Sequence, residues 1–198
     1  MKQIIVKDSS YPAKASLLDI LIYPHPTLKV VADTVVNFDR TLKDLCHNMV
    51  KTMYHAPGIG LAAPQIGLSK RIFICDTDYQ RTKIGEDDPD TDEEEDLIYE
   101  LKNLNPRIYI NPKLVAHEGE TTYEEGCLSL PGVFDTVKRH QVVELQYQDL
   151  NGKTHYEKID SLHSICAQHE IDHLDGILFI ERLSRLKFQF YKKMFTKK

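Results

Sequence analysis

The stretch Gln168-His169-Glu170-Ile171-Asp172-His173-Leu174-Asp175-Gly176 decides how this sequence is read. In a helix, residues four apart stand one above the other, so His169 and His173 share a face and two imidazoles can meet one metal ion. Glu170 leaves the helix at a neighbouring angle and can reach a water on that ion without being a ligand itself. This is the pattern of metal-assisted hydrolysis, in which the ion acidifies water and the carboxylate takes and returns a proton. The same string also arises by chance on an ordinary helix, so its flanks matter. Leu162, Ile165 and Cys166 fall on the face of the two histidines, which turns the imidazoles inward. Asp160 or Ser161 is placed to cap the helix start, and Gly176 to end it.

Two nitrogens leave a third ligand to be found. One protease class extends the string as His-x-x-Gly-x-x-His; Gly176 fits, but Phe179 stands at the ligand position and cannot bind metal. Another class draws a Glu from a second helix well downstream, whereas the next Glu here is Glu181, soon after the Gly176 break. The remaining ligand lies elsewhere in the chain.

The 198 residues suffice for one domain with a substantial core, and 41% hydrophobic with 28% charged residues is ordinary for a globular protein. No apolar run approaches a membrane span, and Met1–Ser10 is too short in apolar residues for a secretory segment, so the cytoplasm is expected. The cysteines, at 46, 75, 127 and 166, show no paired framework, and disulfides are not expected. The net charge of −5 hides an asymmetry, because residues 86–96 hold nine acids and no base and the rest is therefore +4. That run, within a segment spanning 78–104, reads as a solvated acidic insertion.

Outward from the histidines, the chain reads as an α+β domain. Residues 1–17 lack periodicity and read as a loose arm; Leu18–Val31, with Pro24 and Pro26, reads as extended. Phe38, Leu42, Leu45, Cys46, Met49, Val50 and Met53 recur at helical spacing, with Asn37 as cap and Asp39 in the first turn. Pro57-Gly58-Ile59-Gly60-Leu61-Ala62-Ala63-Pro64-Gln65-Ile66-Gly67 allows close backbone approach to a ligand, or a tight turn into a buried strand. No Gly-Lys-Ser/Thr follows, which excludes a phosphate loop and a nucleotide cofactor.

Arg71–Asp76 suits a buried strand, and Arg107–Val115 reads as strand, turn at Asn111-Pro112, strand. Glu124–Gly132 ends in a Pro-Gly turn. Val137–Gln148 and Lys153–Ile159 flank Asn151-Gly152, a strong hairpin signal. The expected architecture is antiparallel sheets packed around a central metal-binding helix, with an N-terminal and a C-terminal helix, over a single domain 1–198. The C-terminal helix, Leu183–Lys198, sets Leu183, Leu186, Phe190 and Met194 inward, with lysines either solvated or facing an anionic surface such as RNA.

Three separated strings, Gly58–Gln65, Glu125-Gly126-Cys127-Leu128-Ser129 and Gln168–Leu174, are similar to the signature motifs of the peptide deformylases, in the same order, over residues 18–185. The resemblance implies that Cys127 is the third ligand beside His169 and His173, which leaves a fourth position open as in catalytic sites. A thiolate favours a borderline transition ion over Mg or Ca; the resemblance implies Fe(II) in the cell, with Zn, Ni or Co able to fill the same cage. It implies hydrolysis of the formyl group on the N-terminal methionine of nascent polypeptides. Glu170 would carry the proton, while the Gln65 side-chain amide and the Leu128 backbone N–H would stabilise the oxyanion.

Gly60 would offer backbone hydrogen bonds to the peptide. Ile59, Ile165 and Cys166 are candidates for a methionine pocket, or ordinary core. Glu125 would orient backbone or a ligand residue beside the substrate, and Asp172 would face solvent or pin a loop. Transient ribosome contact through the C-terminal helix is the alternative to a docked helix with a solvated basic face, and no membrane contact is expected. Two rival readings are a metallopeptidase, against which Phe179 speaks, and a non-catalytic metal-binding module, in which Glu170 would have no task.

Overall fold

The computed structural model describes residues 3–6, 11–84 and 98–196. In chain order its main elements are β1 (Gln3–Val6), α1 (Arg40–His55), β2 (Gly60–Ala62), β3 (Ile72–Cys75), β4 (Gln80–Ile84) and β5 (Ile98–Lys102). There follow β6 (Arg107–Cys127), β7 (Leu130–Gln148), β8 (Thr154–Asp160), α2 (Ser161–Leu174) and α3 (Arg185–Thr196). Strands β2, β3, β6, β7 and β8 form one antiparallel sheet in that order, and β1, β5 and β4 a smaller one. The expected α+β class is what is found.

Strand β3 explains the layering. Its sequence Ile-Phe-Ile-Cys is apolar at every position because both faces of the sheet are covered, and successive side chains point to opposite sides. Ile72 and Ile74 pack with Leu42, Cys46, Met49, Val50 and Met53 of α1. Phe73 and Cys75 pack with Cys166, Ala167 and Leu174 of α2 and with Val143, Leu145 and Ile159. The metal-site helix therefore lies on one face of a sheet whose other face is closed by α1.

Several local expectations are corrected. Asp39, not Asn37, caps α1, its carboxylate accepting from the Leu42 N–H at 2.9 Å. Extended chain between 18 and 31 is interrupted by a short 3-10 turn at Pro26–Lys29, which Pro26 opens by fixing φ where no N–H is needed. Asn111-Pro112 is a bulge inside β6 rather than a turn; Asn111 has φ +51° and its amide bridges Val35 and Gln148. The turn after Cys127 is Leu128-Ser129, and Pro131-Gly132 lies within β7, because Cys127 pairs with Leu130. Asp149, Asn151 and Gly152 close the next hairpin as expected, with Gly152 at φ +78°.

Part of the segment read as a loose arm, Gln3–Val6, runs parallel to β5, with Ile4 and Val6 against the α1 core. The flanks of the acidic insertion, β4 and β5, pair with each other; residues 86–96 themselves lie outside the described residues.

The face of α3 is also corrected. Leu186, Phe190 and Met194 point outward, 83%, 62% and 53% exposed, while Phe188, Tyr191 and Phe195 pack with Leu130, Val133, Val137 and Phe179. Two stripes at helical spacing compete here, and the aromatic one buries more surface and adds polar anchors. Lys187 and the Tyr191 hydroxyl both bond Asp135 on β7, at 2.6 and 3.0 Å. No helix among the described residues is long and apolar enough to cross a membrane.

Candidate metal centre

Helix α2 starts after Asp160 and stops where Gly176 turns left-handed at φ +70°, with its missing side chain leaving room for the Lys29 backbone. Asp160 stands at the N-cap without a side-chain hydrogen bond. Ten of the fourteen helix residues are buried, polar and apolar alike. Such a helix is stable only if its buried polar groups find partners. Gln168 does so by bonding both the N–H and the carbonyl of His140, each at 2.9 Å, which fastens α2 to β7.

The tight β6–β7 turn delivers Cys127 to this helix. Its sulfur lies 3.2 Å from His173 Nε2, and donor atoms of Cys127, His169 and His173 all fall within 4.8 Å of one another. His169 Nδ1 is 2.8 Å from Glu125, and His173 Nδ1 and Glu170 Oε2 are buried without a hydrogen-bond partner among the described residues. A thiolate, two imidazoles and an unpartnered carboxylate oxygen fit a single transition ion with one open position. Burial holds the Glu170 carboxyl well above the usual range and the His173 imidazole well below it. Gly60 is required beside them, since a Cβ there would come 2.3 Å from Glu170 Oε1 and 2.8 Å from Cys166 Sγ.

Gln65 faces the same centre. Its carbonyl accepts from the Ala62 N–H at 2.8 Å, and its amide donates to Ser129 Oγ at 3.2 Å while lying 3.6 Å from Cys127 Sγ. Leu128 sits in the turn next to Cys127. A groove of about 570 Å³ opens over the centre, and Ile59, Gly60, Gln65, Leu128, Ile165 and Cys166 all line it. Tyr123 and Phe134 stand at its side, and the Phe134 ring covers Gly126 so closely that a Cβ there would be 2.5 Å away.

Glu125 has both carboxylate oxygens engaged inward rather than free for a peptide. Arg139 grips it at 2.6 and 2.8 Å, and His169 takes its second oxygen. Burial alone would raise this carboxyl, but Arg139 and His169 outweigh it and hold it down to about 2. Asp172, expected at solvent or on a loop, is buried and receives Arg139 at 2.6 Å and Arg182 at 2.5 and 3.0 Å. Arg139 and Arg182 were not singled out from the sequence. An Arg on an alternating strand gives no local signal of burial, and the carboxylates that hold Arg139 lie 14 and 33 residues away in sequence.

This geometry has known counterparts. The family model for polypeptide deformylase matches residues 17–189. A peptide deformylase of Erythrobacter litoralis is 45% identical over 190 residues, covering 92% of this chain and 97% of the relative. The crystal structure of a peptide deformylase from Legionella pneumophila superposes with a TM-score of 0.74 at 36% identity, covering 92% of this chain and 95% of that one. A peptide deformylase from Synechococcus elongatus, solved in complex with actinonin, gives a TM-score of 0.74 at 34% identity, covering 92% and 93%. A match of this length by sequence, by structure and in three motifs converging on one centre leaves a single conclusion: the chain belongs to the peptide deformylase family.

Proposed function

We propose that Cys127, His169 and His173 hold one divalent ion for the deformylase reaction and that Glu170 is its proton carrier. The chain is a hydrolase that removes the formyl group from the N-terminal methionine of newly made polypeptides, releasing formate. The observation that supports the residue roles is the approach of the Cys127 sulfur to the paired imidazoles beneath an unpartnered Glu170 oxygen.

When bound, the ion supplies a Lewis acid that acidifies water and polarises the formyl oxygen. The protein's own residues do the rest. Glu125 accepts the His169 Nδ1 proton, which leaves Nε2 free to face the ion. Glu170, buried and readily protonated, takes a proton from the attacking water and gives it to the leaving nitrogen. Gln65 spends one amide hydrogen on Ser129 and turns the other toward Cys127 Sγ at 3.6 Å; with substrate bound, that second hydrogen and the Leu128 N–H steady the oxyanion. Gly60 pairs with the peptide backbone while Ile59, Ile165 and Cys166 wall the methionine side chain.

Formate release from a formyl-Met peptide, measured beside cleavage of the unformylated peptide, tests this reading. Exclusive cleavage at an internal bond would contradict it. For the ion we propose Fe(II) in the cell, with Zn, Ni or Co as substitutes; stoichiometric zinc alone in active, anaerobically prepared protein would contradict that. Residues 1–198 act as one catalytic domain, and removal of the acidic run 86–96 should leave turnover intact. The enzyme works in the cytoplasm, with α3 in transient ribosome contact. The exposed Leu186, Phe190 and Met194 beside Arg185 and Lys193 support this, and unchanged co-sedimentation with ribosomes after their replacement would refute it.

A further inference from the structure

All four cysteines are free thiols, and of them only Cys127 is proposed above to hold the ion. Two of the others are neighbours. Cys75 ends β3 and Cys166 lies one turn before Glu170 on α2, and their sulfurs are 3.2 Å apart. That is about 1.2 Å beyond a disulfide bond length, closer than two sulfurs in simple contact. Cys166 also lines the substrate groove, where its thiol donates to the Ile59 carbonyl at 3.5 Å and abuts Gly60.

His163, three residues before Cys166, hydrogen-bonds Cys75 from the other side, and its Nε2 lies 2.8 Å from the Tyr109 hydroxyl. The Cys166 hydrogen bond, against burial and with help from His163, brings the Cys75 thiol down to about 7. Burial pushes the Cys46 thiol, in the opposite core, up to about 12. One cysteine pair thus joins a thiol lowered by its neighbours to an adjacent sulfur that lines the groove, and Cys46 supplies a built-in control.

We propose that Cys75 and Cys166 form an oxidisable dithiol in the groove wall, which peroxide converts to an intrachain disulfide and a thiol reductant restores. One sulfur, as thiolate, attacks a peroxide oxygen. The O–O bond breaks, leaving a sulfenic acid and a hydroxide that takes up the proton released by that thiol. The second sulfur attacks the sulfenic sulfur, the S–O bond breaks, and hydroxide leaves as water with the second thiol's proton. Two thiols are oxidised, one peroxide is reduced, and two waters form. Bond formation draws the Cys166 sulfur toward Cys75 and away from the wall it shares with Ile59 and Gly60, which reshapes the methionine pocket.

The test treats nickel-loaded full-length protein with hydrogen peroxide, blocks remaining thiols after unfolding, and maps the peptides by mass. The expected result is a peptide holding Cys75 joined to one holding Cys166, a loss of two hydrogens, reversal by dithiothreitol, and Cys46 still alkylated. In parallel, KM for a formyl-Met peptide should shift on the order of three- to tenfold on oxidation. It should return on reduction, and Cys75→Ala should show no such shift. Oxidation of Cys127 in a fraction of molecules lowers kcat without moving the KM of the remainder, so the two events separate. Recovery of both Cys75 and Cys166 as alkylated thiols would overturn the proposal, and so would a mapped disulfide with an unmoved KM.

Discussion

Helices α2 and α3 read alike in sequence, since each sets apolar residues three and four apart, yet one lies at the centre of the molecule and the other is open along a whole stripe. The difference is one of partners. In α2, His169 and His173 meet Cys127, Glu125 engages His169, Asp172 meets two arginines, and Gln168 is bonded to β7, so only one rotation of the helix satisfies all of them. In α3 surface area, ring contacts and a few bonds from Lys187 and Tyr191 to Asp135 and Phe134 choose between two faces, and the aromatic face prevails. Spacing announces a helix; specific polar partners decide which way it faces.

That contrast is sharpened most by Glu170→Gln. The amide keeps the shape and the metal but cannot carry the proton, so turnover should fall by about 10³-fold with metal content unchanged. Assays of formate release alongside elemental analysis measure both, and full turnover would remove Glu170 from its role.

Next in size is Arg139→Leu, which strands Glu125 and Asp172 as buried charges. Breaking such an arrangement from one side costs about 4 kcal/mol, read as a drop in the denaturant midpoint. A loss no larger than that of a surface substitution would show that α2 is not oriented by this network.

The same network has a pH signature. Glu125 is held at about 2, against 4.5 for the free carboxyl. A depressed carboxylate stabilises the fold above its unfolded value, so a contribution of roughly 3 kcal/mol is complete above pH 4.5 and is lost as pH falls toward 2. Stability of metal-free protein across that interval should show the decline, and Glu125→Gln should flatten it. An identical acid limb in the variant would assign the loss to other groups.

The smallest effects fall on α3. Phe188→Ala should cost about 1 to 2 kcal/mol, since that ring is half-buried, whereas Leu186→Ala should stay within about 0.5 kcal/mol. The reverse order in thermal unfolding would restore the stripe that spacing alone favours.

The two helices also mark how far the sequence could be read. The metal helix was legible because His169, Glu170 and His173 carry chemistry that constrains their geometry, and Gly176 ends the helix for a steric reason. Strand β3 was legible because an unbroken apolar run has few other uses. Cys127 became visible as a ligand only through the resemblance, for a cysteine 42 residues before His169 has no local tie to it. The Arg139 and Arg182 anchors, the Asn111 bulge and the Leu128-Ser129 turn stayed hidden, because each depends on register between strands that are distant in sequence. The strand at Gln3–Val6 was missed for the same reason, its partner lying beyond the acidic run.

X-ray absorption at the metal edge of zinc-loaded protein tests the Cys127, His169 and His173 cage itself, since it counts the atoms bound to the ion. One sulfur at about 2.3 Å and two imidazole nitrogens at about 2.0 to 2.1 Å are expected, with a light atom completing the set. A zinc shell without sulfur, or with more than one, would contradict it.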